Sequence, residues 1–386
     1  MASTDGEASS PTPPVEVPNF SKLAGDDNVM AVRQWLNSGG NVNAFSKADY
    51  LEGFPLYMAC KPYYHFKSND KTGVVETLLN AGANPNELNH NVAKSTHEAA
   101  LHLAVSEANP KLVQVLLELG RADPNVRDRR GETPLHRAHG RRRDQTDAFE
   151  AVVKLLLDYG ADVHVTDNQG RTPLQIAVMR CAPTIMQLLI AAGADTNIKT
   201  RRNDETLLHI VGQQTDFWFK RESDHLIMVS CLKQLLECNL DVNAPDCHGR
   251  TPLFHKHVFA SLPAQEVLLQ AGLDNEIQDN HGRTALSFAM EHHQGSIIAC
   301  AVAALNRSGA NFNTQDLNGW TPLHAALKGD ISSLRVLLAH GADRTLRDSC
   351  GKTPLDVALQ NSRPKTATIL TQDNWMLWQE PGATQA

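Results

Sequence analysis

The chain has 386 residues, 41% of them apolar and only 5% aromatic, with a formal net charge of −7. That apolar share supports folded structure, but a single core rarely grows past roughly 250–300 residues, so several domains or an open-ended repeat array are expected. Net acidity disfavours general affinity for nucleic acid or anionic membrane. The seven cysteines are scattered and lack a CxxC pair, so reduced thiols are expected rather than a disulfide framework.

Residues 1–18 (MASTDGEASSPTPPVEVP) are rich in Ser, Thr, Pro and acid and have neither a basic nor an apolar stretch. They are read as a disordered tail and not as a secretory signal. From residue 19 onward one phrase keeps returning: FPLYMA at Phe54, AALHLA at Ala99, TPLHRA at Thr133, TPLQIA at Thr172 and TLLHIV at Thr206. It continues with TPLFHK at Thr251, TALSFA at Thr284, TPLHAA at Thr321 and TPLDVA at Thr353. A catalytic constellation is normally built once, whereas a phrase recurring about every 33 residues is architecture.

Six copies are preceded by Asp-x-x-Gly-x, starting at Asp128, Asp167, Asp246, Asp279, Asp316 and Asp348. Asp at the first position and Gly at the fourth suit a type I turn. Thr can then cap the free N–H groups of a helix, and Pro takes the first helical position, where no N–H is needed. A second helix follows after a short break. In ISSLRVLLAHGA the apolar residues Ile331, Leu334, Val336, Leu337 and Leu338 recur at helical spacing, and Gly341 ends the run. The same Gly stop recurs at Gly82, Gly160, Gly193, Gly272 and Gly309.

Turn, helix, break, helix and Gly stop, in phase, resemble the ankyrin repeat. The resemblance implies an all-α ankyrin-repeat solenoid with β-turn fingers over 19–372. About ten units are expected near 20–50, 53–88, 98–127, 131–165, 170–200, 205–245, 249–279, 282–315, 319–348 and 351–372. Residues 373–386 form a short tail whose Trp375 and Trp378 are expected to cover the end of the last helix pair. The resemblance also implies that His102, His136 and His324 tie helix starts to neighbouring backbone. It further implies hydroxylation of Asn243, which follows Leu235 in the Asp241-Val242-Asn243 setting that ankyrin asparagine oxygenases accept.

No chemistry competes with this reading. The seventeen histidines include no HExxH or finger spacing, and Cys238, Cys247 and His248, though close in sequence, fall on a helix end and the following turn. There is no phosphate-binding glycine loop and no nucleophile elbow. The chain is therefore expected to be no enzyme and to need no cofactor or metal. Its longest apolar run, IIACAVAAL at 297–305, is too short to span a bilayer. A cytoplasmic or nuclear location is expected.

Departures from the period carry the specific information. Units two, four and six hold inserts between their helices: KPYYHFKSNDK at 61–71, HGRRRDQTDAF at 139–149 and GQQTDFWFKRESDH at 212–225. Helix–helix connections emerge along one edge in this architecture, so the inserts are expected to share a rim. Their aromatic and basic residues are the types that anchor interfaces. The candidate partner-binding residues are accordingly Tyr63, Tyr64, Phe66, Arg141, Arg142, Arg143, Phe217, Trp218, Phe219, Lys220 and Arg221; the alternatives are passive loops with binding on the concave face. Unit four also carries Arg121, Arg127, Arg129, Arg130, Arg137 and Arg141–Arg143 against only Asp123, Asp128 and Glu132, a local positive excess that would suit an acidic partner or nuclear import. Unit six is the weakest match, with RRND at 201–204 for the turn and Asn239 in place of the Gly stop.

The expected function is a monomeric, non-enzymatic protein-binding module acting as adaptor, scaffold or inhibitor. The family includes cytoplasmic inhibitors of Rel factors, so a transcriptional regulator working in the nucleus is the first alternative and an uncharacterised enzyme the second.

Overall fold

The computed structural model describes residues 18–46, 53–61, 71–89, 97–139, 146–211, 213, 222–292, 301–302, 304–329 and 331–371. The expectations for the two tails lie outside these residues. The chain divides into two compact blocks, Met1–Asn168 and Gln169–Ala386. Among the described residues the structure is helical, with two isolated antiparallel bridges, Ser46 to Gly53 and Asn89 to Glu98.

In the N-terminal block the inner and outer helices of successive repeats are Phe20–Gly25 with Val29–Asn37, Pro55–Cys60 with Thr72–Asn80, Ala100–Ser106 with Pro110–Glu118, and Pro134–Arg137 with Thr146–Asp158. The C-terminal block opens with Pro173–Met179 and Pro183–Ala191, then Leu207–Ile210 and Glu222–Leu236. Repeat seven begins with a 3-10 turn, Pro252–Phe254, followed by Lys256–Phe259 and Leu262–Gln270. Repeat eight has Ala285–His292 and helical residues at 301–302 and 304–307. The last two pairs are Pro322–Ala325 with Ile331–Ala339 and Pro354–Gln360 with Pro364–Thr371.

The recurring phrase explains each inner helix. Thr133, Thr172, Thr321 and Thr353 are extended N-caps with Pro at the first helical position. The Leu that follows is sealed in the core: Leu101, Leu174, Leu208, Leu253 and Leu323 are fully buried, each stabilising by about 2 kcal/mol. The histidine three residues after the cap closes the helix start. In repeat nine the Thr321 backbone N–H and hydroxyl both approach His324 Nδ1, at 3.3 and 2.9 Å, and Nε2 lies 3.2 Å from the Lys352 carbonyl of the next repeat. A carbonyl only accepts, so the proton sits on Nε2 and Nδ1 is the acceptor. His209 does the same to Arg250 O at 2.8 Å, and His102 to Glu132 O at 3.0 Å.

The turns also follow the sequence. In the turn at Asp279 the carboxylate accepts the backbone N–H groups of His281 and Arg283 at 2.9 and 3.0 Å, and Gly282 N–H donates to Asp279 O at 2.8 Å. Successive fingertips then join through their backbones: Asn280 N–H to His248 O at 2.9 Å, Leu317 N–H to His281 O at 3.0 Å, and Ser349 N–H to Asn318 O at 2.9 Å.

Repeat six differs from the sequence expectation of a missing turn and cap. Its turn is rebuilt around Thr200, whose N–H reaches Glu205 O at 2.8 Å and whose hydroxyl accepts Glu205 N–H at 3.1 Å. Asn239 takes the left-handed conformation (φ 56°) that glycine holds elsewhere. Asparagine is the side chain that tolerates that region best, so the helix stop survives without glycine.

Candidate functional site

The face made by the turns and inner helices carries a column of side chains set by one position, the residue just before each Thr or its equivalent. In the N-terminal block this column reads Gly53, Glu98 and Glu132 from repeat two onward. Its two glutamates feed one guanidinium. Arg137, in the inner helix of repeat four, lies 2.6 Å from Asp128, 2.6 Å from Glu132 and 3.6 Å from Glu98, and the Tyr57 hydroxyl donates to Glu98 at 2.8 Å. Burial first, then the Glu98 charge, pushes the Tyr57 phenol well above its ordinary pKa. Within the basic run of repeat four, this network takes up one of the arginines. Arg137 is consumed by three carboxylates, and Arg127 donates to the Thr166 carbonyl at 2.9 Å.

In the C-terminal block the same column reads Arg171, Glu205, Arg250, Arg283, Trp320 and Lys352. Here cations lie over aromatic rings. The Arg250 and Arg283 guanidinium carbons sit 4.6 and 5.0 Å from the Phe288 ring centroid, and Lys328 Nζ lies 4.6 Å from that of Trp320. Glu291 joins the two sets, accepting from Arg283 at 3.2 Å and Lys328 at 2.9 Å. Arg283 also pairs with Asp279 at 2.7 Å. Burial works against the Asp279 carboxylate, but hydrogen bonds from the Arg283 side chain and backbone and the His281 backbone outweigh it and hold its pKa below the usual value. His292 also stacks on Phe288, centroids 4.3 Å apart. Between these groups runs an open groove of about 350 Å3 lined by His281, Arg283, Glu291, Trp320, Lys328 and Cys350 among others.

The buried histidines serve the backbone: burial, outweighing hydrogen bonds to carbonyls and nearby acids, lowers the pKa of His102, His209 and His324 and keeps them neutral. Among the described residues no group of three His, Cys, Asp or Glu side chains is placed to hold a metal. No described helix is long and apolar enough to cross a membrane.

All of the insert residues named from the sequence lie outside the described residues: Tyr63, Tyr64 and Phe66, Arg141, Arg142 and Arg143, and Phe217, Trp218, Phe219, Lys220 and Arg221. Asn243 is described, and it works as a clamp. Its Nδ2 donates to Gly272 O at 3.0 Å and its Oδ1 accepts Asp274 N–H at 2.8 Å, joining repeats six and seven. Asn43 and Asn125 repeat this pattern in the N-terminal block. The aromatic and cationic strip was missed from sequence, although its signal was present as the column Arg250, Arg283, Trp320, Lys352.

A family model described as ankyrin repeats in three copies matches residues 56–146, 101–200 and 295–376, more than half of the chain. The chain belongs to the ankyrin repeat family. Relatives among characterised proteins include the human B-cell lymphoma 3 protein, 31% identical over 240 residues, covering 60% of this chain and 48% of the relative. The mouse homolog is 30% identical with 60% and 49% covered. The chicken nuclear factor NF-kappa-B p105 subunit is 28% identical over 166 residues, covering 42% of this chain and 15% of p105. The alignments thus span about half the length of the B-cell lymphoma 3 proteins and far less of p105. A solved ankyrin repeat domain of Bcl-3, titled a unique member of the IkappaB protein family, superposes with a TM-score of 0.46 at 26% identity, covering 62% of this chain and 98% of that one.

Proposed function

We propose that the chain is a non-enzymatic protein-binding module and that the turn and inner-helix face of repeats seven to nine is its contact surface. The observation that carries this is the strip in which Phe288 and Trp320 lie under Arg250, Arg283 and Lys328. Aromatic and arginine side chains dominate interface hot spots, and a cation over a ring is already oriented, so little freedom is lost on docking. Phe288 and Trp320 are both half-buried, and at the Trp320 position the other repeats from the second onward carry Gly or a charged residue, so the repeat pattern alone does not call for an aromatic there. The partner is another protein bound by a monomer. The three inserts are the competing contact edge, and acidic character of the partner belongs to that alternative.

The test is affinity capture from cells with the full chain, followed by titration of the captured partner. Trp320→Ala and Phe288→Ala should each weaken binding roughly thirtyfold if they act as hot spots. Deleting 62–70, 140–145 and 214–221 one at a time should leave binding unchanged. The reverse pattern would move the site to the inserts.

A role in transcriptional regulation, in the cytoplasm or nucleus, is favoured by the sequence likeness to the B-cell lymphoma 3 proteins and p105. Replacing Arg141, Arg142 and Arg143 with Ala should exclude a tagged chain from the nucleus under this reading. Unchanged distribution would remove the import role.

A further inference from the structure

Of the three cations on the aromatic strip, two are hydrogen-bonded to carboxylates and Arg250 is not. The Arg283 guanidinium donates to Asp279 Oδ2 at 2.7 and 3.1 Å and to Glu291 at 3.2 Å. Lys328 donates to Glu291 at 2.9 Å. Arg250 comes near Asp279 alone, with Nε 3.9 Å from Oδ2, outside hydrogen-bonding range. Asp279 is not free to turn towards it. Its Oδ1 already accepts the backbone N–H groups of His281 and Arg283, and its Oδ2 takes both Arg283 bonds. Among the described residues nothing accepts a hydrogen bond from the Arg250 guanidinium. Its Nε is sealed from solvent, so on a side chain 29% exposed the terminal nitrogens Nη1 and Nη2 are the open pair.

The residue is nonetheless fixed at both ends. Its backbone N–H donates to the Asp246 carboxylate at 2.8 Å. Its carbonyl accepts the Asp246 N–H at 2.9 Å and lies 2.8 Å from His209 Nε2 of the preceding repeat. The guanidinium carbon rests 4.6 Å from the Phe288 centroid. A planar fork of donors that is held in place and lacks an acceptor is preorganised for a planar oxyanion.

We propose, on the reading that repeats seven to nine form the contact surface, that Arg250 is an oxyanion anchor whose terminal nitrogens grip the carboxylate of an aspartate or glutamate side chain on the partner protein. Charge selects a carboxylate over a phosphate. The linked set of Arg250, Arg283 and Lys328 with Asp279 and Glu291 holds three positive and two negative charges. One positive charge is left over; a carboxylate matches it, and a phosphate group, at about −1.5 to −2, oversteps it. Arg250 calls for one such side chain at one place, which does not make the partner acidic as a whole.

The experiment selects random twelve-residue peptides displayed on phage against the full chain, then titrates the synthesised binders by fluorescence anisotropy. Binders with one indispensable Asp or Glu are expected. Exchanging that acid for its amide should weaken binding about tenfold or more on the unaltered chain, and less than about twofold on Arg250→Gln. Arg250→Lys should not restore affinity, since an ammonium keeps the charge but loses the fork. Phosphoserine in place of the acid should bind no tighter. Binders that need no acid, an amide exchange equally costly on Arg250→Gln, full affinity in Arg250→Lys, tighter binding of the phosphoserine peptide, or a library without binders would each overturn the anchor. Trp320→Ala and Phe288→Ala tell the anchor from the surface. Binding lost in both but kept in Arg250→Gln removes the anchor and leaves the contact surface standing; binding kept in both but lost in Arg250→Gln does the reverse. Should Arg250→Gln fail to fold by circular dichroism, Arg250→Lys titrated with the acid and amide peptides decides the matter.

Discussion

Replacing Arg137 with Met tests whether the network in the N-terminal block holds the fold. The Arg137 side chain is 13% exposed and its partners Asp128, Glu132 and Glu98 are 0%, 10% and 11% exposed, so the weak figure for surface ion pairs does not apply. Methionine keeps the stem packing and removes only the charge, stranding carboxylates that had a cation within 2.6 Å. Breaking one partner of a buried pair costs about 3–5 kcal/mol, and a Coulomb estimate at an effective dielectric of 20 gives about 4 kcal/mol for one contact near 4 Å. Repulsion among the remaining acids adds to this, while water entering the site subtracts, so about 3–4 kcal/mol is expected. Urea unfolding should be followed by amide exchange in 98–118 and 134–137, because a repeat array has no single transition. Adding Glu132→Gln to Arg137→Met should recover part of the loss, since one stranded charge disappears. A cost below 1 kcal/mol, or no recovery in the double variant, would refute the argument that Arg137 is a buried neutralising charge.

Acid should weaken the stack through its histidines. His102, His209 and His324 have folded pKa values below the ordinary 6.5, so their contribution is complete above about pH 6.5 and is lost as pH falls through the window below it, at up to about 1.4 kcal/mol per pH unit per group; thermal melts from pH 8 to 5 check the slope. His324→Gln should fold normally and shed its share of that slope, because Gln175 already accepts the Thr172 N–H through Oε1 at 3.0 Å in repeat five. Arg121→Gly should stabilise by about 0.5–1 kcal/mol in urea titrations, since Arg121 holds a left-handed φ of 51° that glycine adopts freely. Within the C-terminal block the amides of 206–211 and 222–239 should exchange first, because repeat six closes its helix with Asn239 at φ 56° where the neighbouring repeats have glycine, and uniform protection across repeats five to ten would refute this. Hydroxylation of Asn243, tested by peptide mass spectrometry from cells holding an asparagine oxygenase, should be found only to the extent that the Gly272–Asp274 clamp opens.

The sequence made the repeat plain because each part of the phrase has one local cause: Asp and Gly for the turn, Thr and Pro for the helix start, Leu for the core. What it left obscure needed the third dimension. RRND at 201–204 breaks the turn pattern, yet Thr200 and Glu205, outside the pattern, close that turn. Arg137 looked like one more member of a basic run because Glu98 lies 39 positions away and reaches it only once the inner helices of repeats three and four are side by side.

The column before the Thr positions shows how a repeat separates folding from recognition. The residue there adds little to the helix start, which Thr, Pro and the His or Gln three residues later already complete. It is therefore free to vary, and it varies by block: Glu98 and Glu132 in the first, Arg250, Arg283, Trp320 and Lys352 in the last four repeats. Because the phrase repeats, these side chains arrive one above another without any sequence motif of their own. In the first block the column is spent internally on Arg137. In the second, Lys328 is more than half exposed while held beside Trp320 and Glu291. A charge that is oriented but still open to solvent is what a docking partner can use with the least reorganisation.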